Sequence, residues 1–319
     1  MFPAKLNELN LDIKENVSLA SFTTFQIGGV CPCLITCKTS DEVSQVVRIL
    51  REDDILFIFM GGGSNLLVSD DGIDCVVVRY LSPASQIELK GNDLKVGAST
   101  LIDDLVCFAA AKGLAGLNYC SGIPGTVGGA IVGNAGAFGK QIGDVLVSAE
   151  LLDKEGNLKE VVNEDLAFQY RGSALKTSYD IVLSVTFRLG PANKEQLFDE
   201  RKEILNLRHV KHPDYKEHPC AGSFFRNIAK TSDAGQRQAA GWFLDKAGAK
   251  DLKVGGAGVY KKHANIIINE NKATAQDVYS LSRKMAARVK QEFDLDLVRE
   301  VLCVGYIEGA EEDSASIVW

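Results

Sequence analysis

The sequence predicts an α+β fold. Capping boxes of the form Thr-x-x-Glu or Thr-x-x-Asp, each followed by apolar residues three and four positions apart, indicate three helices. Short runs rich in valine, isoleucine and phenylalanine indicate strands. Their order is mixed: one strand–helix alternation, a strand-rich middle, then a helix and a further strand–helix–strand unit. This mixed order is typical of an α+β protein.

The helices are predicted from the boxes at Thr39, Thr100 and Thr274, and a fourth is predicted over residues 195–208. The strands are predicted over residues 55–59, 73–78, 86–90, 94–98, 146–152, 181–189, 265–269 and 300–304. Turn-forming residues at 190–193 and, more weakly, at 81–83 predict boundaries that divide the chain into residues 1–80, 81–192 and 193–319. The acidic tail from Gly309 onward is predicted to be loosely ordered.

Composition narrows the function classes. A net charge of −7 argues against a nucleic-acid surface, which needs clustered lysine and arginine. No apolar run is long enough for a membrane span, and the N-terminus lacks a secretory signal, so we expect a cytoplasmic protein. The eight cysteines form no C-x-x-C pair and are predicted to be reduced core residues. The spacing of His209, His212, His218 and Cys220 matches no common zinc pattern, and we predict no metal site.

Two glycine-rich segments stand out. Residues 122–139 read G-I-P-G-T-V-G-G-A-I-V-G-N-A-G-A-F-G, and such glycine use costs roughly 0.5–1 kcal/mol per residue in regular structure unless close backbone approach compensates. We interpret the run as an ordered ligand loop. Residues 60–68, M-G-G-G-S-N-L-L-V, resemble a phosphate loop, with a tight structural turn as the alternative. Neither segment has the Gly-Lys-Ser/Thr or G-x-G-x-x-G spacing, which disfavours a P-loop or Rossmann domain.

A third segment, A-G-S-F-F-R-N at residues 221–227, combines a hydroxyl, a cation and an amide with two aromatic rings. It is predicted to be a strand edge, with Ser223, Phe225 and Asn227 on one face and Phe224 and Arg226 on the other. A serine nucleophile is not supported, because there is no G-x-S-x-G elbow and no histidine is assignable as its base. Ser223 is therefore predicted to donate a proton or a hydrogen bond.

Six motifs together resemble the UDP-N-acetylenolpyruvoylglucosamine reductase family. They occur in the family's order and span nearly the whole chain: T-T-F-Q-I-G-G (23–29), G-G-G-S-N (61–65), G-I-P-G-T-V-G-G-A (122–130), Y-R-G-S (170–173), A-G-S-F-F-R-N (221–227) and V-G-G-A-G-V-Y-K-K-H-A-N (254–265). The chain departs from the family pattern at Gln26, where arginine is common, and at Ile228 and Arg299, where proline is usual. It resembles the family's shorter class, although Tyr215 leaves that classification open.

The resemblance implies a two-subdomain FAD-binding module of the vanillyl-alcohol-oxidase / p-cresol-methylhydroxylase type, residues 1–80 and 81–192, followed by a C-terminal α/β substrate-binding domain, residues 193–319. It also implies that NADPH reduces FAD and that reduced FAD then reduces the enolpyruvyl ether of a UDP-sugar in peptidoglycan precursor synthesis. The implied cofactor-binding residues are Gly61, Gly62, Gly63, Ser64, Asn65, Gly122, Ile123, Pro124, Gly125, Gly128, Gly129 and Asn134.

The same resemblance implies three catalytic residues. Arg171 matches the group that holds the substrate carboxylate, Ser223 matches the proton donor, and Glu300 matches the carboxyl group that assists Arg171. For Glu300 a buried salt bridge is the alternative. The implied substrate contacts are Tyr170, Asn227, Lys262 and His263, with packing as the alternative for Tyr170.

Two other functions remain open at this stage. A different FAD-dependent oxidase or dehydrogenase of the same architecture would keep the glycine segments but have no use for Ser223, Asn227 and Glu300. A non-catalytic sugar-nucleotide-binding protein would be colourless. The expected partners are a small sugar nucleotide and NADPH, used in turn at one site because no second dinucleotide motif is found. The sequence leaves the oligomeric state undetermined, and a monomer is favoured.

Overall fold

A computed structural model describes residues 4–229 and 237–310 of the chain. The acidic residues 311–313 of the tail lie outside the described residues. Within the described ranges the fold is α+β, as predicted: two mixed or antiparallel sheets, a smaller C-terminal sheet, and helices packed against them.

The first sheet has four strands. In spatial order they are Asp12–Ser18, Val30–Cys37, Val76–Tyr80 and Phe57–Met60, the first pair antiparallel and the others parallel. Helix Ser40–Glu52 covers one face, and the Thr39 hydroxyl accepts the Glu42 N–H, as the first capping signal predicts. Its buried positions are Val43, Val46, Val47 and Leu50. A short helix, Ala4–Glu8, precedes the sheet.

The second sheet has five antiparallel strands. In spatial order they are Leu158–Val162, Leu146–Leu152, Ile181–Arg188, Asp93–Gly97 and Ile87–Lys90. Helix Ile102–Lys112 packs beside this sheet and ends at Gly113, whose φ of +71° suits a residue without a Cβ.

The capping box predicted at Thr100 and Asp103 is wrong. The N-cap of this helix is Leu101, and no side chain caps it. The Thr100 hydroxyl instead accepts the Gln86 N–H at 3.1 Å, and the Asp103 carboxylate binds the Arg201 guanidinium at 2.9 and 2.7 Å. Tertiary partners therefore take both side chains away from the helix end.

The C-terminal part contains three helices, Lys194–Lys211, Ala240–Lys246 and Ala275–Phe293. The capping box at Thr274 and Asp277 is confirmed in both directions. The helix predicted over 195–208 continues to Lys211, so His209 is helical and His212 is the C-cap. A three-stranded sheet is formed by Lys253–Val254, Ala257–Val259 and Ile267–Asn269.

Shorter elements complete the described chain. The glycine run, interpreted from its sequence as a loop without a helix, contains helix Val127–Val132, with the Thr126 hydroxyl accepting the Gly129 N–H. The other short helices and turns are Leu19–Phe22, Asn118–Cys120, Ile142–Val145, Asn163–Leu166, Leu175–Ser178 and Ala249–Asp251. The other short strands are Leu66–Val68, Leu114–Ala115, Gly136–Ala137, Lys140–Gln141, Gly190–Pro191 and Leu302–Val304.

Contacts cross both predicted domain boundaries. Strand Leu302–Val304 returns to the N-terminal part and pairs in parallel with Leu66–Val68. Helix Lys194–Lys211 binds the middle part, where Asn118 donates to the Leu197 carbonyl at 2.9 Å. The domain boundaries at 80 and 192 therefore stay a prediction, because elements of one predicted part pack against another part. None of the eight cysteines, all of which lie in the described residues, forms a disulfide, and all but Cys75 and Cys107 are buried.

None of the helices within residues 4–229 and 237–310 combines the length and apolar character that crossing a membrane requires.

Candidate functional site

The two glycine segments, 60 residues apart in sequence, form one continuous wall. The Ser64 hydroxyl donates to the Pro124 carbonyl at 3.2 Å. A Cβ built on Gly62 would lie 3.3 Å from the Gly125 Cα, and a Cβ on Gly125 would lie 2.6 Å from the Ser64 Oγ. Side chains at these glycines would therefore separate the two segments.

Gly63 shows why the first segment needs glycine. Its φ is +62°, and a Cβ there would lie 2.1 Å from the Phe22 carbonyl oxygen, a fixed backbone atom. The Gly63 carbonyl in turn accepts the Thr24 N–H at 3.2 Å. This hydrogen bond connects the first glycine segment to the T-T-F-Q-I-G-G motif and so gives the motif a structural role.

The wall presents free backbone donors. Within the described parts of the chain, the N–H groups of residues 62–65 and of Gly125 donate to no protein acceptor. Consecutive unpaired N–H groups in glycine-rich turns form a concavity that binds phosphate oxygens. The donor chemistry of this wall therefore fits the pyrophosphate of a dinucleotide cofactor such as FAD. Gly129 is exposed, and its nearest neighbouring atom would be 3.7 Å from an added Cβ, so the wall stays open on that side.

Other residues implied to bind the cofactor already donate their backbone N–H groups to acceptors within the protein. The Gly122 N–H donates to Asp103, the Ile123 N–H to the Cys120 carbonyl, and the Gly128 N–H to the Ala98 carbonyl. These residues shape the wall and offer it no free donors.

Asn134 is likewise occupied. Its buried amide donates to Gln141 and to the Gln169 carbonyl, both at 2.9 Å, and its oxygen accepts the Gly143 N–H at 3.1 Å. Because both amide donors are used, the Asn134 side chain holds its own loop and has no donor left for a cofactor.

Arg171 and Glu300 form a partly buried ion pair. The Arg171 Nε lies 2.7 Å from the Glu300 Oε1, and the two side chains are 24% and 20% exposed. Arg171 also donates from Nη1 to the Gly136 carbonyl at 3.0 Å. Its φ of +57° places it at the corner of a tight turn closed by Gln169 and Gly172. The Y-R-G-S motif thus turns the guanidinium toward the glycine run.

The Glu300 carboxyl holds its proton more tightly than an ordinary glutamate. Burial raises its pKa, while the nearby charges of Arg171, Arg226 and Lys176 lower it without cancelling the effect. Glu300 is also bound to the glycine wall, since the Asn65 side-chain amide donates to its backbone carbonyl at 3.2 Å.

A backbone hydrogen bond joins the segment that carries Ser223 to the segment that carries Glu300. The Glu300 N–H donates to the Phe224 carbonyl at 2.8 Å, and Ser223 forms a bridge with Ile266. Three residues from distant parts of the sequence, Arg171, Ser223 and Glu300, are therefore joined by one ion pair and one backbone hydrogen bond between their segments. The sequence predicts this convergence, and its catalytic meaning stays a prediction.

Residues 221–227 form no regular strand, and the alternation predicted for them stays a prediction. The segment makes only isolated bridges and runs between residues 265–266 and 298–300, so both of its sides are covered. Phe224 and Phe225 are therefore both buried, at 1% and 4% exposure. The Asn227 side-chain oxygen accepts the N–H of Ala240 at the start of a helix.

Tyr170 and Asn227, two implied substrate contacts, touch each other. The Asn227 N–H donates to the Tyr170 hydroxyl at 3.2 Å. The Tyr170 ring also faces two guanidinium groups, with the Arg171 and Arg237 carbons 5.3 and 3.8 Å from its centre. Packing alone thus accounts for much of the Tyr170 environment, and its contact with substrate stays a prediction.

Lys262 and His263 have no described contact with Arg171, Ser223 or Glu300. Lys262 is exposed, and in the part of the chain that the structure describes it makes no hydrogen bond or ion pair. The His263 ring lies 5.1 Å from that of His212. Burial, with a smaller contribution from His263, lowers the pKa of His212 to about 4, and burial also lowers the pKa of His263. Both rings are therefore neutral at pH 7.

Two cations of this region were given no role in the sequence reasoning. Arg208 reaches the glycine wall, where a Cβ on Gly122 would lie 3.1 Å from its Cδ, and burial lowers its guanidinium pKa, with Arg171 lowering it further. Among the described residues, the buried Nε atoms of Arg208 and Arg226 have no hydrogen-bond partner. An available signal is that Arg208 lies in the last turn of the helix that precedes the A-G-S-F-F-R-N motif in the chain. Within residues 4–229 and 237–310, no three His, Cys, Asp or Glu side chains converge as metal ligands would.

Comparison with known proteins gives a consistent result along the chain. Residues 31–161 match a family model described as an FAD binding domain, and residues 213–304 match one described as the C-terminal domain of UDP-N-acetylenolpyruvoylglucosamine reductase. The predicted order of an FAD-binding module followed by a C-terminal domain is thereby confirmed.

Similar full-length proteins agree. UDP-N-acetylenolpyruvoylglucosamine reductase of Lactobacillus acidophilus is 35% identical over 94% of this chain and 97% of its own length. The protein of the same name from Bacillus subtilis is 33% identical over 92% of this chain and 94% of its own. The crystal structure of UDP-N-acetylenolpyruvylglucosamine reductase from Thermus caldophilus superimposes with a TM-score of 0.75 at 33% identity, covering 92% of this chain and 98% of that one.

Proposed function

The chain belongs to the UDP-N-acetylenolpyruvoylglucosamine reductase family, and from this premise we propose that it reduces the enolpyruvyl ether of UDP-N-acetylglucosamine-enolpyruvate to UDP-N-acetylmuramate. Its cofactor is FAD and its reductant is NADPH, in the synthesis of peptidoglycan precursors. The observation that carries the proposal is the Arg171–Glu300 ion pair, tied by backbone to Ser223 and, through Asn65, to the glycine wall.

The glycine wall binds the cofactor in this proposal. The free N–H groups of residues 62–65 and of Gly125 hold the pyrophosphate of FAD, and the missing side chains let it approach the backbone. FAD, when bound, supplies a hydride to the methylene carbon of the substrate. The protein's own residues have to orient that carbon, stabilise the charge that develops, and deliver a proton.

Arg171 stabilises the developing charge. Hydride addition at the methylene carbon moves an electron pair toward the neighbouring carbon and its carboxylate, which becomes enolate-like. A guanidinium is permanently charged and binds both oxygens of a carboxylate in parallel, so it follows the substrate from one charge state to the next. Glu300, at 2.7 Å, fixes the orientation of Arg171. Such preorganised donors are worth about 3–4 kcal/mol at a developing oxyanion.

Ser223 completes the reaction by donating its hydroxyl proton to the enolate-like carbon, and solvent then returns a proton to the serine oxygen. An aliphatic hydroxyl is a weak acid, but the carbanionic carbon is a much stronger base. Burial raises the pKa of Glu300, so its neutral form, which does not repel the substrate carboxylate, is less unfavourable than it would be for an exposed glutamate.

Arg208 and Arg226 add positive charge around the same place. Their buried Nε donors lack partners among the described residues, and an anionic substrate would satisfy them. Tyr170 and Asn227, which touch each other, are proposed to contact the sugar nucleotide, and Lys262 and His263 are weaker candidates because neither contacts the rest of the site.

We further propose that the protein acts in the cytoplasm, where both nucleotide substrates are made and where eight cysteines without a disulfide stay reduced. We propose a monomer, which light scattering of the purified protein tests directly.

The visible spectrum of the freshly purified protein tests the proposed function. We expect bound flavin, bleaching of its absorbance by NADPH without oxygen, and recovery of the absorbance on adding the enolpyruvyl nucleotide. If flavin is lost in purification, FAD at about 1,000 times its dissociation constant should stabilise the protein by about 4 kcal/mol in a thermal shift assay. A colourless protein that FAD does not stabilise would refute the proposal.

A further inference from the structure

Asn265 binds the backbone of the two residues that follow Ser223, through both its side chain and its main-chain carbonyl. Its side-chain oxygen accepts the Phe225 N–H at 2.9 Å, and its side-chain amide donates to the Phe225 carbonyl at 2.8 Å. Its own carbonyl accepts the Phe224 N–H at 2.8 Å. Asn265 is 2% exposed, so water cannot take over these bonds. The amide therefore acts as a clamp on the dipeptide that follows Ser223.

The opposite side of the same dipeptide is bound to the segment that carries Glu300. The Glu300 N–H donates to the Phe224 carbonyl at 2.8 Å, and the Arg226 N–H donates to the Val298 carbonyl at 2.8 Å. The segment thus has one fixed neighbour on each side: Asn265 and the Val298–Glu300 backbone. Moving the Asn265 side would shift Ser223 relative to Glu300.

We propose that Asn265 is a positioning residue for the reaction, which fixes the distance between the Ser223 hydroxyl and the Arg171–Glu300 pair. The inference rests on the proposed function, because it assigns a role within the step that Ser223 performs. It concerns only the transfer to the enolpyruvyl substrate and leaves the reduction of FAD by NADPH untouched, since none of the described hydrogen bonds of Asn265 reaches the glycine wall.

The chemistry of the clamp is specific to a carboxamide. One group has to accept from an N–H and donate to a carbonyl at the same time, which asparagine does in one plane. Ionised aspartate accepts but has no hydrogen to donate, so it faces the Phe225 carbonyl with a second oxygen. Protonated aspartate restores the donor. Asn265→Asp therefore converts the clamp into one that works only below the pKa of the new carboxyl group.

Titratable and charged groups surround this position. His263 accepts the Asn265 N–H through Nδ1 at 3.3 Å, Arg299 bridges to Phe225, and Arg226 and Glu300 lie on the clamped segment and its neighbour. Helix Ala240–Lys246 lies against Asn265 and His263 at Gly241, which carries no charge. Wild type carries the same groups, so dividing the variant rate by the wild-type rate at each pH removes their direct contribution and leaves the effect of the new carboxyl group.

The experiment measures both half-reactions of the flavin-loaded Asn265→Asp enzyme by stopped-flow absorbance between pH 5 and pH 8.5. We expect NADPH to bleach the flavin at the wild-type rate throughout. Recovery of the absorbance by the enolpyruvyl nucleotide should approach the wild-type rate at the acid end and fall about 10- to 100-fold below it as the pH rises, the effect expected of a misplacement of about 1 Å. A second variant, Asn265→Gln, keeps both donor and acceptor on a longer stem and should slow the same step at every pH.

Asn269→Asp is the matched control. Asn269 also accepts a backbone N–H, that of Ala273, and donates to a backbone carbonyl, that of Phe25, but it does not touch residues 223–226. Its rate ratio should not depend on pH. Equal losses in both half-reactions of Asn265→Asp, a pH-independent ratio, or wild-type behaviour of Asn265→Gln would overturn the role of Asn265. If wild type itself fails to bleach with NADPH or to recover with the nucleotide, the proposed function fails instead.

Discussion

The glycine wall and the Arg171–Ser223–Glu300 cluster are built in opposite ways. In the proposed function the wall acts through backbone N–H groups and through the absence of side chains, as at Gly63, where an added Cβ would lie 2.1 Å from a carbonyl oxygen. The cluster acts through three side chains whose segments are joined by an ion pair and a backbone hydrogen bond. One region is defined by local sequence, and the other by tertiary contacts.

This difference predicts how each region fails when it is changed. A change in the wall should weaken cofactor binding and therefore affect both half-reactions. A change in the cluster should leave the cofactor in place and affect only the transfer to substrate. Measuring the two half-reactions separately therefore tests the assignment of each residue to its region.

Replacing Ser223 should give the largest effect. Ser223→Ala removes the proposed proton donor, so we expect recovery of flavin absorbance by the enolpyruvyl nucleotide to slow by about 10²- to 10⁴-fold, the usual contribution of a positioned acid. Bleaching by NADPH should stay at the wild-type rate, and Ser223→Cys should keep part of the activity. The matched control is Ser148→Ala, on the second sheet. Equal losses in the two half-reactions would remove Ser223 from the cluster.

Arg171→Lys should have the next largest effect. Lysine keeps the charge but cannot bind a carboxylate with two parallel donors while also reaching the Gly136 carbonyl. We expect the second half-reaction to fall by about 10²- to 10³-fold, the loss typical of one oxyanion donor. Arg188→Lys, at an exposed pair with Asp93, serves as control. Unchanged recovery of the absorbance in Arg171→Lys would show that the guanidinium is not in contact with substrate.

Gly63→Ala tests the wall, and Gly91, which has the same φ, is the matched control. Both glycines have a φ of +62°, but a Cβ on Gly91 would meet no atom within 4 Å. Gly91→Ala should cost about 1–2 kcal/mol of unfolding free energy from the left-handed conformation alone. Gly63→Ala should cost more and should also weaken FAD binding, slowing both half-reactions. Urea unfolding and FAD titration measure the two effects, and equal costs at both positions would mean that the wall tolerates side chains.

Local features of the fold follow from the sequence. Thr39 and Thr274 were identifiable as helix caps because a cap needs only residues a few positions apart. The box at Thr100 failed because Gln86 and Arg201, distant in sequence, offer better partners to its two members. The two segments that cover residues 221–227, residues 265–266 and 298–300, are likewise distant in sequence, so the local pattern could not show that Phe224 and Phe225 are both buried.

The candidate site shows the same division. The glycine segments were visible in sequence because their requirement for missing side chains is local. Arg208 was not, since its relevance depends on a helix lying against Gly122, 86 positions earlier in the numbering. Asn134 looked like a cofactor donor in its motif, yet Gln141, Gln169 and Gly143 occupy its side chain. Hydrogen-bond partners brought by tertiary folding decide whether a polar side chain is free.

Glu300→Gln should give the smallest and most diagnostic effect, a change in the pH dependence of stability. The folded pKa of Glu300 is raised by burial, so the folded state binds this proton more tightly than the unfolded chain. The resulting stability is complete below the unfolded pKa of about 4.3 and is lost as the pH rises through the folded value. Glutamine does not titrate, so the variant should gain stability relative to wild type as the pH rises through that window.

Urea unfolding between pH 4 and pH 8 measures the difference in unfolding free energy between the variant and wild type. Glu52→Gln is a control for which this difference should change in the opposite direction. Hydrogen bonding to Lys5 lowers the pKa of exposed Glu52, so its stabilising contribution is present above the unfolded pKa and lost in acid. Glu52→Gln should therefore lose stability relative to wild type as the pH rises. If the stability difference between Glu300→Gln and wild type does not change with pH, or changes with the sign seen for Glu52→Gln, the charge of Arg171 balances or outweighs burial. The cluster would then hold Glu300 as an ordinary ionised ion-pair partner.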